Sequence, residues 1–203
     1  MRALALIPLL ALSACGLTAT QTPQALQSLP SGQYQMEKPH ASLLFRIKHM
    51  GLSYYTGRLT DFDATLDFDP KNPTASHVKA IINPLSVQAD HPTDKDWDRK
   101  IGEDFFEGKE FPQIVFESTK VETTGEFTGK VTGNLSFMGE THPVTLDVTY
   151  NGGIDNAPLY QMRSAVGFSA KAKFDRTDFG LTRYSSIVSD EVEVVIEIEF
   201  TKH

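Results

Sequence analysis

Apolar and polar residues alternate with a period of two along most of the chain from residue 42 onward. That spacing puts every second side chain on one face of a β-strand. Across residues 58–69, Phe62, Ala64, Leu66 and Phe68 fall on one side, and Asp61, Asp63, Thr65, Asp67 and Asp69 on the other. Further on, Val192, Val194, Ile196, Ile198 and Phe200 alternate with Glu191, Glu193, Glu197 and Glu199. A helix would scatter these apolar residues around its circumference. Similar patterns at 42–48, 76–87, 113–121, 126–138, 142–150 and 159–174 bring the candidate strands to eight. Within 159–174, Tyr160, Met162, Ser164, Val166, Phe168, Ala170, Ala172 and Phe174 form one row. Turn residues separate the segments, among them Asp69-Pro70-Lys71-Asn72-Pro73 and Asn151-Gly152-Gly153. Long antiparallel strands lose their exposed edges most easily by closing on themselves. The pattern therefore predicts an all-β fold, an extended eight-stranded antiparallel barrel with room for one small ligand.

One segment breaks the alternation. Residues 93–106 predict a short helix, with Thr93 as its cap and Asp94 and Asp96 in the first turn. Trp97 and Ile101 are four apart and share a face. Two roles fit it: a linking helix packed on the barrel, or a lid that brings Trp97, Phe105 and Phe106 to a pocket mouth.

The beginning of the chain has a different character. Residues 3–12 are uncharged and apolar, preceded by Arg2. Ten residues are too few for a bilayer span, which needs about 20, but they suit a signal-peptide core. Leu12-Ser13-Ala14-Cys15 resembles the bacterial lipobox, in which the chain is cleaved before the cysteine and the cysteine carries lipid such as palmitate. This divides the chain into a lipoprotein signal (1–14), a lipidated Cys15 with a flexible tether (15–32), and a barrel domain (33–203). Cys15 is the one cysteine, so thiol catalysis, disulfides and cysteine-bound zinc are excluded. Gly16 follows the cysteine where an inner-membrane lipoprotein tends to carry Asp, so the resemblance favours the outer membrane. As a coil, the uncharged stretch 16–32 would span roughly 23 Å.

Charge narrows the partners. The formal charge is −7, and removal of Arg2 with the signal makes it −8. An acidic balance of that size argues against nucleic acid and against a domain lying on anionic lipid. Enzyme signatures are missing: His40, His49, His77, His91, His142 and His203 show no metal-ligand spacing, and no Gly-x-Ser-x-Gly elbow occurs. The sequence reads as a non-enzymatic binding protein with no cofactor.

Residues 43–200 resemble the YceI-like, polyisoprenoid-binding family. The matching pieces are Phe45-Arg46-Ile47-Lys48-His49-Met50-Gly51, Gly57-Arg58-Leu59-Thr60-Asp61-Phe62, Asp104-Phe105-Phe106, and Phe111-Pro112-Gln113-Ile114-Val115-Phe116-Glu117-Ser118. They continue with Val131-Thr132-Gly133-Asn134-Leu135, His142-Pro143-Val144-Thr145-Leu146, Arg176-Thr177-Asp178-Phe179-Gly180-Leu181 and Val188-Ser189-Asp190-Glu191-Val192. Their order and spacing carry the resemblance. It implies a lipocalin-like barrel whose apolar interior holds a polyprenyl quinone, a polyprenyl phosphate or a fatty-acyl compound. It also implies a periplasmic location and often a homodimer. The chain departs from the family at His91-Pro92-Thr93-Asp94-Lys95-Asp96, which leaves the head-group class open.

On this reading the ligand contacts are Phe45, Ile47, Phe62, Leu66, Ile82, Phe116, Leu135, Phe137 and Phe168 from the inward rows. Trp97, Ile101, Phe105 and Phe106 come from the helical segment, and Arg176 stands at the mouth. Arg176 has a second reading, an ion pair with Asp178 that pins a turn. Arg46, Lys48 and His49 read as a solvated edge, with the alternative that one of them points inward near a strand end and meets a phosphate. Ala80, Gly129, Gly133, Ser164, Ala170 and Ala172 are small residues that would leave room inside. Two alternatives stay open: a packed barrel that serves as an envelope interaction protein through its acidic face, and a lipid-modifying enzyme, which would need a polar pair inside the cavity.

Overall fold

A computed structural model describes residues 26–202. The expected signal, Cys15 and the first part of the expected tether lie outside the described residues. Eleven strands form one antiparallel sheet: β1 (Gly32–Met36), β2 (Ser42–His49), β3 (Ser53–Leu59), β4 (Phe62–Phe68), β5 (His77–Ile82), β6 (Val87–Gln88), β7 (Ile114–Thr123), β8 (Thr128–Phe137), β9 (Glu140–Ala157), β10 (Arg163–Asp175) and β11 (Val188–Lys202). The order β1-β4-β5-β7-β8-β9-β10-β11 closes on itself because β11 also pairs with β1. This is the predicted eight-stranded antiparallel barrel.

The seam is broken in one place. β11 pairs with β1 near Phe200 and with β2 from Glu197 to Val188. β1 and β2 are thus two halves of one side, interrupted by the 3-10 turn Lys38–His40. Pro39 sits in that turn and has no N–H to give to a ladder. β3 and β6 extend β2 outward as a small wing.

Aromatic clusters lie toward both ends. At one, Tyr34, Phe68, Phe168 and Phe200 meet edge-on at centroid distances of 5.6–6.3 Å, around the buried Leu29 and Tyr150. At the other, Phe106, Phe137, Phe174 and Phe179 meet at 5.5–5.9 Å. Each buried side chain of this size contributes about 1.5–3 kcal/mol. Two glycines make the wall tight. A Cβ on Gly57 would lie 2.3 Å from the Phe45 ring, and one on Gly133 would lie 2.5 Å from the Phe116 ring. These positions are glycine because an aromatic ring lies flat across the neighbouring strand.

Several boundaries differ from the sequence expectation. The 76–87 segment is interrupted after Ile82 by the turn Pro84–Ser86. The 159–174 segment begins only at Arg163, because Pro158–Tyr160 form a turn and Gln161 and Met162 adopt left-handed φ values of 57° and 64°. Tyr160 and Met162 therefore leave the inward row. The helix covers only Trp97–Lys100, followed by a π-turn at Ile101–Phe105. Thr93 does not cap it. The Asp94 carboxylate instead accepts from the Asp96 N–H at 3.0 Å and from Lys100 at 2.6 Å. The expected tether also ends early: Leu26–Ser28 form a 3-10 turn and Leu29, only 3% exposed, packs into the barrel end.

Candidate ligand-binding cavity

Between the two aromatic clusters the barrel holds a cavity of about 360 Å³, within the size range of small-molecule sites. Its wall follows from the period of two. β8 contributes Gly129, Val131, Leu135 and Phe137, β10 contributes Phe168, Ala170, Ala172 and Phe174, and β11 contributes Val192, Val194, Ile196, Ile198 and Phe200. Eight residue steps on β11 cover about 26 Å of strand. With a barrel tilt near 40°, the lined depth is about 20 Å. The space exists because Ala80, Ala170 and Ala172 stand where larger side chains would meet across the axis. Gly133 makes no such room, since the Phe116 ring covers it. Ser164 does not line the cavity; its hydroxyl donates to Asp155 at 2.6 Å.

The cavity opens at one end. Its exposed lining residues are His77, Glu122, Thr123, Gly125, Glu126 and Thr128. They cluster because β5 and β7 pair only from residues 79–82 to 114–117. Beyond that, β7 bulges between Ser118 and Lys120. The buried Ser118 hydroxyl accepts the Val78 N–H at 2.9 Å, taking the place of the next ladder bond. The wall then parts. The turn Pro73–Ala75 forms one lip, and the β7–β8 hairpin forms the other. Leu26 also lines this end, packed with Phe127 against the Leu29 cluster.

The structure sorts the residues singled out from sequence. Phe45, Ile47, Phe62, Leu66, Ile82, Phe106, Phe116, Leu135, Phe137, Phe168 and Arg176 line the cavity. Trp97, Ile101 and Phe105 do not. Ile101 is buried against Val87 and Ala89 under the β2–β3 wing. Trp97 Nε1 donates to the Tyr55 hydroxyl at 2.7 Å, and Phe105 stacks on Tyr184 at 5.3 Å. The helical segment therefore closes the end of the barrel opposite the opening through Phe106 alone, and it is no lid over the mouth. Arg46 and Lys48 point outward, Arg46 to Glu193 at 3.2 Å and over the Tyr54 ring at 4.4 Å.

Arg176 also lies at the closed end, so the mouth-contact expectation is corrected. Its side chain is 2% exposed. Nε donates to the Ser189 carbonyl at 2.9 Å, Nη1 to the carbonyls of Leu181 and of Arg183 (2.9 Å to the latter), and Nη2 to Ser185 Oγ at 3.1 Å, the Val188 carbonyl at 3.4 Å and Asp190 Oδ1 at 3.1 Å. Burial lowers its pKa, opposed by the Asp190 charge. The guanidinium does pin a turn, with Asp190 as its carboxylate rather than Asp178. Its five N–H groups organise residues 181–190.

Sequence reasoning missed the opening itself: His77, Glu122, Glu126 and Leu26. None carries a motif, and their grouping depends on where β5 and β7 separate.

With this geometry in view, the comparisons with known proteins are consistent. The YceI-like domain family matches residues 34–200. The chain is 38% identical over 174 residues to Protein YceI of Salmonella arizonae, covering 85% of this chain and 88% of that one. Among solved structures, BcnA of Burkholderia cenocepacia superposes with a TM-score of 0.68 at 24% identity, over 81% of this chain and 98% of that chain. A polyisoprenoid binding domain from Saccharophagus degradans, implicated in plant cell wall breakdown, gives 0.58 at 14% identity over 84% and 98%. At these identities both structures speak to the fold alone.

Proposed function

The chain belongs to the YceI-like family, and on that footing we propose that it binds and carries a long-chain apolar lipid, an isoprenoid or an acyl compound, inside the barrel. The observation that carries this reading is the deep cavity walled by apolar side chains from both aromatic clusters. Each methylene moved from water into it contributes about 0.8 kcal/mol, so chain length dominates affinity. The cavity favours this reading over a solid barrel. The likeness in fold to a polyisoprenoid binding domain makes isoprenoids the first ligands to test. The experiment is mass spectrometry of an organic extract from protein purified from its native host, followed by titration with a polyprenol. A long apolar compound in the extract and saturable uptake are expected; their joint absence would overturn the reading.

The same proposal gives the start of the chain a role. Lipid on Cys15 would hold the barrel at a bilayer in the periplasm, the outer membrane favoured. Leu26 stands at the open end of the cavity, so lipid on Cys15, eleven positions before it in the sequence, would keep that opening near the membrane. Metabolic labelling with palmitate should mark the wild-type chain and not Cys15→Ser. Equal labelling of both would remove the anchor.

A further inference from the structure

Resting on the carrier reading, we infer that the ligand has an uncharged head group and that the barrel discriminates against phosphorylated or carboxylated lipids of the same chain. An anionic head group inside a protein needs charge-assisted donors, above all a free guanidinium fork or ammonium. Among the described residues, Arg176 is the only Lys or Arg that lines the cavity. It has nothing to offer an anion, because its donors face six acceptors of residues 181–190, Asp190 included. A phosphate turned toward the closed end would be a buried charge without a partner, the costliest arrangement available.

The opposite orientation, head outward, meets the wrong sign. The exposed residues of the opening include the carboxylates Glu122 and Glu126. Lys120 is held by Glu122 at 2.8 Å, and His77 lies 3.7 Å from Glu117. Glu126 has no ion pair among the described residues. Lys120 offsets the Glu122 charge, so the uncompensated carboxylate of the rim among the described residues is Glu126; one such charge about 4 Å from an anionic head weakens its binding roughly fivefold even in a water-like dielectric. Neutral heads such as an alcohol, a quinone or an amide avoid both penalties. Thr123 and Thr128 at the rim supply hydroxyls that such heads can use.

The test pairs ligands that share one chain. Geranylgeraniol and geranylgeranyl phosphate are each titrated into the delipidated full-length protein at low ionic strength, by displacement of fluorescent retinol. The alcohol should bind at least roughly fivefold more tightly, and Glu126→Gln, combined with Glu122→Gln to free Lys120, should narrow that gap by strengthening the phosphate. Equal or tighter phosphate binding beside normal alcohol binding overturns this inference and leaves the carrier reading intact. Binding of neither compound overturns the carrier reading, and the inference with it.

Discussion

Ala170→Phe places an aromatic ring in the middle of the cavity. Ala170 lies on β10 between Phe168 and Ala172, pairs with Val148 and Ile196, and lines the interior while only 7% exposed. The added ring occupies space that roughly four methylenes of ligand would use. At about 0.8 kcal/mol each, the loss is about 3 kcal/mol, or somewhat more than 100-fold in Kd. Folding responds in the opposite sense. A ring entering an empty apolar space leaves stability unchanged or raises it by about 1–2 kcal/mol. In a filled core the same ring would overpack and cost about 1–3 kcal/mol. Urea unfolding by linear extrapolation and polyprenol titration read the two effects separately. Lys171→Phe, one residue along on the exposed face, is the control and should leave affinity at the wild-type level. Wild-type affinity in a folded Ala170→Phe protein would refute the placement of ligand in this interior. A loss of stability beyond about 1 kcal/mol would mean that the space is already filled.

Arg176→Met should cost about 1–3 kcal/mol, since it leaves the part-buried carbonyls of Leu181, Val188 and Ser189 without their donor while the half-exposed Asp190 carboxylate stays solvated; hydrogen exchange across residues 181–190 should accelerate with it. Gly57→Ala should cost about 1–3 kcal/mol through its clash with the Phe45 ring, and a double-mutant cycle with Phe45→Leu should recover much of that loss. Tyr34, fully buried, has its pKa pushed up to about 12, by burial first and by the Asp155 charge second. Between pH 10 and 12 the unfolded chain has lost this proton and the folded one keeps it, so stability falls as pH rises through that window. Tyr34→Phe should flatten that decline, at a cost of about 1 kcal/mol at neutral pH for the lost bond to the Pro30 carbonyl. A decline of unchanged steepness would assign the alkaline sensitivity elsewhere.

How much of this was legible in the sequence depends on what alternation can report. It marks which side of a strand is apolar, so the inward rows of β4, β8, β10 and β11 could be read directly, and the closed barrel followed from their number. It does not mark where a strand stops. Tyr160 and Met162 kept the rhythm into a turn, and only their backbone conformation takes them out of the sheet. β1 is five residues long and starts at the last residue of the expected tether; it was not among the expected strands, although Tyr34 and Met36 alternate within it. β3 buries only a weak face of Tyr55, Gly57 and Leu59, in which a glycine and a tyrosine blur the apolar alternation. Helical spacing correctly put Trp97 and Ile101 on one face, but it could not say that this face covers Val87 and Ala89 instead of the cavity. The opening was the least legible part, since it rests on a bulge at Ser118 and a strand pair that ends early.

The register at the seam also sets the order in which the molecule can form. The β7–β8, β8–β9 and β9–β10 pairs are hairpins between neighbours in sequence, so their loop-closure entropy is modest. The β1–β11 pair joins Tyr34 to Lys202, across almost the whole domain, and nothing local can nucleate it. A fold rich in such distant pairings is slow, in the range of milliseconds to seconds. Until residues 188–202 are in place, the inward rows of both flanking strands face water. The meander of central hairpins is therefore the natural nucleus and the seam the final step. Between the two, a half-closed barrel exposes to other chains the same apolar surface that later faces the cavity.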